Sequence, residues 1–226
     1  MTTQIKGTNL SETIFEDLKR KILSDTWKAG EKLPPERDLA LEYGTNRNTL
    51  REAIRKLEQS RLVSVRHGSG VRVENFRKRG LVDMLGPFLE EASDNQERIS
   101  TLKDLLITRA SLLELMIRMA AERAEPTDLN RLRALTEQQQ TLFSSGDQSK
   151  VARGDVRWHQ AVVEATHSLT IRWTANTFLE VYRGFILRFP HLWILHPEYP
   201  QFLEETMTAL ENKDPETAVR ITKAYY

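Results

Sequence analysis

Apolar residues recur every three or four positions along most of this chain and alternate in only one short stretch. The first helical pattern covers residues 11–24, where Ser11 is a suitable N-cap and Ile14, Leu18 and Ile22 share a face. A loop punctuated by Gly and Pro follows, "TWKAGEKLPP". "ERDLALEYG" then predicts a short helix, with prolines before it and Gly44 as its C-cap. Thr45 or Asn46 caps the next helix, whose inward stripe is Leu50, Ala53, Ile54 and Leu57. Val63, Val65, Val71 and Val73 alternate around "HGSG", the pattern of a small β-hairpin.

From Leu81 onward the texture changes. "FRKRG" reads as an exit segment, and helical periodicity then dominates over about 81–92, 97–123, 127–144, 150–166, 169–189, 199–212 and 215–226. Thr127 and Pro215 mark two of the helix starts. The expected fold is mainly α. A winged helix-turn-helix with a β-hairpin wing spans 1–76, residues 77–80 link, and an all-α bundle spans 81–226. The last residues, "ITKAYY", stop within a helical pattern, so the natural protein is expected to continue beyond Tyr226.

Charge sharpens this picture. The whole chain carries only +1, yet Asn46–Val73 holds seven Lys/Arg against two Asp/Glu. That concentration points to a polyanionic partner, with a solvated helix face as the competing explanation. No cysteine is present, which excludes a disulfide framework, a thiol nucleophile and a cysteine metal site. No apolar run reaches the roughly 20 residues that span a bilayer, and the first residues lack the apolar core of a signal peptide. A cytoplasmic location without membrane contact is expected.

The second helix of a helix-turn-helix enters the major groove led by its N-terminal residues. Here those are Asn46, Arg47, Asn48, Thr49 and Arg51, all able to bond a base edge or a phosphate. The hairpin tip "RHGSG" offers cationic and small residues to a neighbouring minor groove. Double-stranded DNA is therefore the expected partner. An enzyme built on Asp155 and His159 is the alternative of another class, but no nucleophile, phosphate loop or complete metal set accompanies them.

The run "KLPPERDLALEYGTNRNTLREAIRKLEQSRLVSVRHGSGVRV" resembles the N-terminal domain of the GntR family of bacterial transcription regulators. The helical remainder is similar to the effector domain of that family's FadR branch, nearest to its acyl-CoA-responsive regulator of fatty-acid metabolism. The resemblance implies a homodimer on a palindromic operator and DNA contacts by Arg37, Arg47, Asn48, Thr49, Arg51, His67 and Gly68. It also implies a small-molecule effector: acyl-CoA first, a small carboxylate with or without a metal second.

Many relatives in the branch hold a divalent metal with an Asp, a His four residues later and two further His. Asp155 and His159 match the first pair, but the other two positions fall at about Leu203 and Tyr225. No metal and no cofactor are therefore expected, unless His191 or His196 completes the set. Arg109 interrupts an apolar helix and requires an anionic partner, either the effector or a salt bridge to Asp155 or Glu114. Trp158, Trp173, Phe178, Tyr182, Phe185, Phe189 and Trp193 either line an acyl channel or fill an ordinary core. The expected effector residues are Arg109, Asp155, His159, Trp173, Tyr182 and Tyr225.

Overall fold

The computed structural model describes residues 10–66, 68–188 and 196–226. They form two compact units, Met1–Ser100 and Thr101–Tyr226. The first unit opens with α1 (Leu10–Leu23), α2 (Glu36–Glu42) and α3 (Arg47–Gln59). Ile14, Leu18 and Ile22 of α1 meet Leu50, Ala53, Ile54 and Leu57 of α3 in a dry core. Helix α1 starts at Leu10, so Ser11 lies buried inside its first turn and is not the cap. Between α2 and α3, Gly44 takes the left-handed φ of +57° that the tight turn demands. Tyr43, at the end of α2, donates to Asp17 (2.6 Å) and accepts from Lys21 (3.1 Å), fastening α2 to α1.

The wing consists of β1 (Val63–Arg66) and β2 (Gly70–Val73), antiparallel with Val63 opposite Val73 and Val65 opposite Val71. The supposed loop before α2 contributes to it. Gly30 N–H donates to Val73 O, Leu33 N–H to Val71 O, and Glu31 O accepts from Val73 N–H. This short third partner covers the edge of β2, which a two-stranded ribbon leaves open.

Past the wing, the exit segment is helical: α4 covers Phe76–Arg79. A 3-10 turn (Val82–Met84) and α5 (Leu85–Glu91) bring Phe88 back to Phe76, ring centroids 5.8 Å apart. Arg77 lies over the Phe76 ring and makes paired contacts to Asp25 (2.7 and 3.1 Å) and Glu97 (2.7 and 2.8 Å). Because Phe76, Phe88 and Ala92 join the first core, the first compact unit extends to Ser100, beyond the wing.

The second unit takes most of α6 (Asn95–Arg123), then α7 (Pro126–Ser144), α8 (Gln148–Ala165), α9 (Leu169–Arg188), α10 (Tyr199–Glu211) and α11 (Pro215–Tyr225). Its described residues contain no strand. Proline stands in the first turn of α7, α10 and α11, where its missing N–H costs nothing. Glu125 and Asp128 form a reciprocal capping box at the start of α7. Leu113, Ile117, Trp158, Tyr199, Leu203 and Leu210 are fully buried at its centre.

Leu50 is fully buried in the first core. Leu50→Ala should destabilise that unit by about 2–5 kcal/mol. Thermal unfolding followed by circular dichroism should resolve a lowered first transition, with the transition of the helical unit left in place.

Candidate functional site

The first candidate surface is the leading turn of α3. The Asn46 side-chain oxygen accepts the Thr49 backbone N–H at 2.9 Å and faces the Thr49 hydroxyl at 3.3 Å. Asn46 is thus the N-cap, with only its amide nitrogen left for an outside partner. Arg47 and Asn48 are exposed beside it. Arg51 bonds Glu36 of α2 through Nε at 2.7 Å, and its side chain remains exposed. Arg37 is exposed, with Asp38 at 3.1 Å. Gly68 occupies the hairpin turn at φ +76°, and His67 lies outside the described residues. One face of α3 is therefore dry and the other polar, with free N–H groups of the helix start between them.

The second candidate site is built around Asp155 of α8, which is almost wholly buried. Tyr199 of α10 donates to one carboxylate oxygen (2.8 Å) and Tyr182 of α9 to the other (3.0 Å). Arg109 of α6 approaches the second oxygen at 3.6 Å. Its guanidinium also lies over the Tyr182 ring, 4.2 Å from the centroid, and near the Tyr226 hydroxyl at 3.3 Å. Of the two partners expected for Arg109, Asp155 holds it; Glu114 pairs with Lys223 at 3.4 Å.

Arg109 can only donate, so the His159 Nε2 that faces it at 3.3 Å must accept. The ring proton then sits on Nδ1 and is donated to the Asp155 backbone carbonyl at 2.8 Å. Burial holds His159 below its ordinary range, and Arg109 adds to this against the pull of Asp155. Burial lowers the Arg109 pKa, but its neighbours Tyr226, Tyr182 and Asp155 outweigh it and keep the guanidinium charged. Burial, then the Asp155 charge, raises the Tyr199 phenol well above the usual tyrosine range. The cluster is a paired cation and anion beside a neutral imidazole.

Sequence periodicity did not reveal Tyr199 and Gln139. Gln139 of α7 donates to the Tyr199 hydroxyl at 2.9 Å and to the Val151 carbonyl at 3.0 Å. It fits because residue 154 is glycine: a Cβ there would lie 1.8 Å from the Gln139 side-chain oxygen. The available signal was a glycine inside a strong helical pattern.

A divalent metal does not fit these residues. Both Asp155 oxygens accept phenol hydrogens, and His159 Nε2 faces a fixed cation. Leu203 is buried in the apolar core, and Tyr225 stacks on Phe202 with centroids 4.3 Å apart. His196 is exposed beside Glu198, and His191 lies outside the described residues. Among the described residues no group of three His, Cys, Asp or Glu gathers as a ligand set.

From the cluster a narrow cleft of about 40 Å³ runs between α6 and α9. Leu102, Leu105, Leu106, Leu113, Phe178 and Leu179 line it, with Arg109, His159 and Tyr182 at its polar end. Trp173 does not join them, since it is 67% exposed. Trp158 is a core residue whose indole donates to Thr136 at 3.0 Å. Phe189, Trp193 and the side chain of Phe185 lie outside the described residues.

Tyr199→Phe should remove one donor from a buried carboxylate and cost about 1.5–3 kcal/mol in chemical denaturation. The pH dependence follows from His159. Its depressed folded pKa means that the unfolded chain binds the extra proton first as pH falls through about 6.5. Stability from the neutral ring is complete above that pH and declines below it. His159→Gln should flatten the decline, read as melting temperature between pH 7.5 and 5.5.

Residues 10–73 match the family described as bacterial regulatory proteins, gntR family, and residues 104–226 match the FCD domain. A protein of Escherichia coli (strain K12) named for regulation of the L-lactate dehydrogenase operon is 27% identical over 89% of this chain and 76% of its own length. An uncharacterised HTH-type transcriptional regulator of Mycobacterium tuberculosis is 32% identical over 75% of this chain and 68% of its own. The galactonate operon transcriptional repressor of Escherichia coli (strain K12) is 25% identical over 71% and 68%. Among solved structures, Streptococcus agalactiae GntR superposes with a TM-score of 0.51 at 24% identity, covering 95% of this chain and 96% of that one. The Listeria monocytogenes regulator Lar superposes with 0.55 at 17%, covering 98% and 94%. Those two likenesses concern the fold; the matched families and the sequence relatives are regulators rather than enzymes. With its winged helix-turn-helix and FCD domain, this chain belongs to the GntR family of bacterial transcription regulators.

Proposed function

We propose that this protein binds a palindromic operator as a homodimer and changes its grip when an organic acid with an apolar portion enters the second unit. The carrying observation is the amphiphilic site, in which one fixed cation, Arg109, stands at the end of a leucine-lined cleft. A carboxylate would compete with Asp155 for Arg109, while its carbon skeleton lies against Leu105, Leu106 and Leu179. A cleft of about 40 Å³ holds little more than a water molecule, so a ligand must part α6 from α9. Such a ligand favours the opened state by its differential affinity and thereby shifts the population.

On the DNA side, Arg47, Asn48, Thr49 and Arg51 would read the major groove. Asn46 contributes through its amide nitrogen, Arg37 approaches phosphate, and His67 with Gly68 follows the minor groove. That two relatives are named for lactate dehydrogenase and galactonate operons is a reason to try hydroxy acids as effectors. The leucine lining keeps acyl chains, including acyl-CoA and thus a role in fatty-acid metabolism, in the same trial.

Operator fragments selected from random duplexes should be bound by the full chain. Arg47→Ala should weaken the selected site by about 1–3 kcal/mol and relax one base position. L-lactate, galactonate, octanoate and a long-chain acyl-CoA are then titrated into the complex with and without a chelator. Release by at least one of them, unaffected by chelator and lost in Arg109→Met, is the expected result. Wild-type indifference to all four would overturn the effector class, and an unchanged Arg47→Ala would overturn the reading helix.

A further inference from the structure

The outer face of α8 carries a feature that operator binding and the Asp155 site do not use. Arg153, Arg157 and Gln160 succeed one another at helical spacing on the side opposite Asp155 and His159. With Lys150 of the same helix, Arg183 of α9 and Gln138 of α7, they surround a groove of about 530 Å³. That volume falls in the range of small-molecule sites, roughly 300–1,000 Å³.

Four cations line the groove, and two of them, Arg153 and Arg157, have no ion pair among the described residues. Lys150 pairs with Asp147 at 2.9 Å, and Arg183 approaches Glu180 only at 3.8 Å. Arg153 bonds the neutral Ser149 hydroxyl at 2.7 Å. Arg157 makes no ion pair among the described residues, although it is exposed and flanked by cations. Arginines at i and i+4 repel on a helix surface, where one acidic residue in place of either would attract. The groove floor is apolar, formed by Leu142, Ala152 and Val156.

From this arrangement we infer that the groove between α7, α8 and α9 binds a small molecule bearing two or more phosphate groups and an apolar or aromatic portion. Arginine forks match phosphate oxygens in paired geometry, and the two glutamines donate to the remaining acceptors. Leu142, Ala152 and Val156 would support the rest of the molecule. A nucleic-acid strand is less suited, because the cations surround a pocket of ligand size and share it with apolar side chains. The same helix turns Asp155 inward, so an occupant of the groove rests on the element that organises the effector cluster.

Isothermal titration of the full chain with ADP and with inorganic pyrophosphate tests this at about 150 mM salt, without operator or organic acid. Both should bind saturably, ADP the tighter through the apolar floor. The double variant Arg153→Ala/Arg157→Ala should lose about tenfold or more in affinity for each, while Lys103→Ala, elsewhere on the unit, changes neither. Both substituted arginines are exposed, and an unaltered melting curve checks that the double variant folds. Failure of wild type to bind either probe, or binding indifferent to the double variant, overturns the inference. So does equal affinity for the two probes, or binding of unrelated duplex DNA alone that the double variant loses. Because no operator is present, these outcomes are independent of the DNA-reading and effector experiments.

Discussion

A buried carboxylate sets the terms for the helical unit. A carboxylate buried in an apolar bundle, as Asp155 is, needs donors at both of its oxygens. Each donor here comes from a different helix: Arg109 from α6, Tyr182 from α9 and Tyr199 from α10. Gln139 of α7 fixes Tyr199 in turn. A single negative charge thus specifies how five helices approach one another. Removing any donor leaves the others facing an under-satisfied charge, so the network acts as a unit.

The proposed response to an organic acid rests on that economy. A fully satisfied ion pair is rigid, but an anion able to compete for Arg109 offers the guanidinium a second partner at little change in bond count. The neutral His159 beside it is held in one tautomer by the Asp155 carbonyl on one side and by Arg109 on the other. A transition metal would need that same imidazole nitrogen and carboxylate. Here an arginine and two phenols have taken those positions, and the cation of the site is covalently part of the chain.

In the first unit a comparable division of labour operates on α3. Leu50, Ala53, Ile54 and Leu57 hold the helix in place, which leaves its leading polar residues rigidly presented. Asn46 was legible both as a cap and as a polar lead residue, and its oxygen is engaged in capping. Capping is itself useful, because it fixes the start of the helix that places Arg47 and Asn48. The third strand-like segment beside the wing escaped periodicity, since only four residues with proline nearby make it.

The sequence by itself determined the element order, the inward stripe of α3, the valine pairing of the wing and the all-helical second unit. These follow from local periodicity and turn chemistry, which neighbouring residues encode. It also brought Arg109 forward, because a charge interrupting an apolar pattern needs a partner, whereas Asp155 and His159 stood out through their resemblance to a family ligand pair. Only the tertiary structure decided who those partners are. Tyr199 stands 44 residues from Asp155 and Gln139 stands 60 from Tyr199, so no spacing rule connects them. Trp173 and Tyr182 lie on the same helix and look alike as aromatics, yet one faces solvent and the other bonds Asp155. The extent of the first unit was likewise settled by Phe88 folding back onto Phe76, a long-range burial of apolar surface that local pattern does not carry.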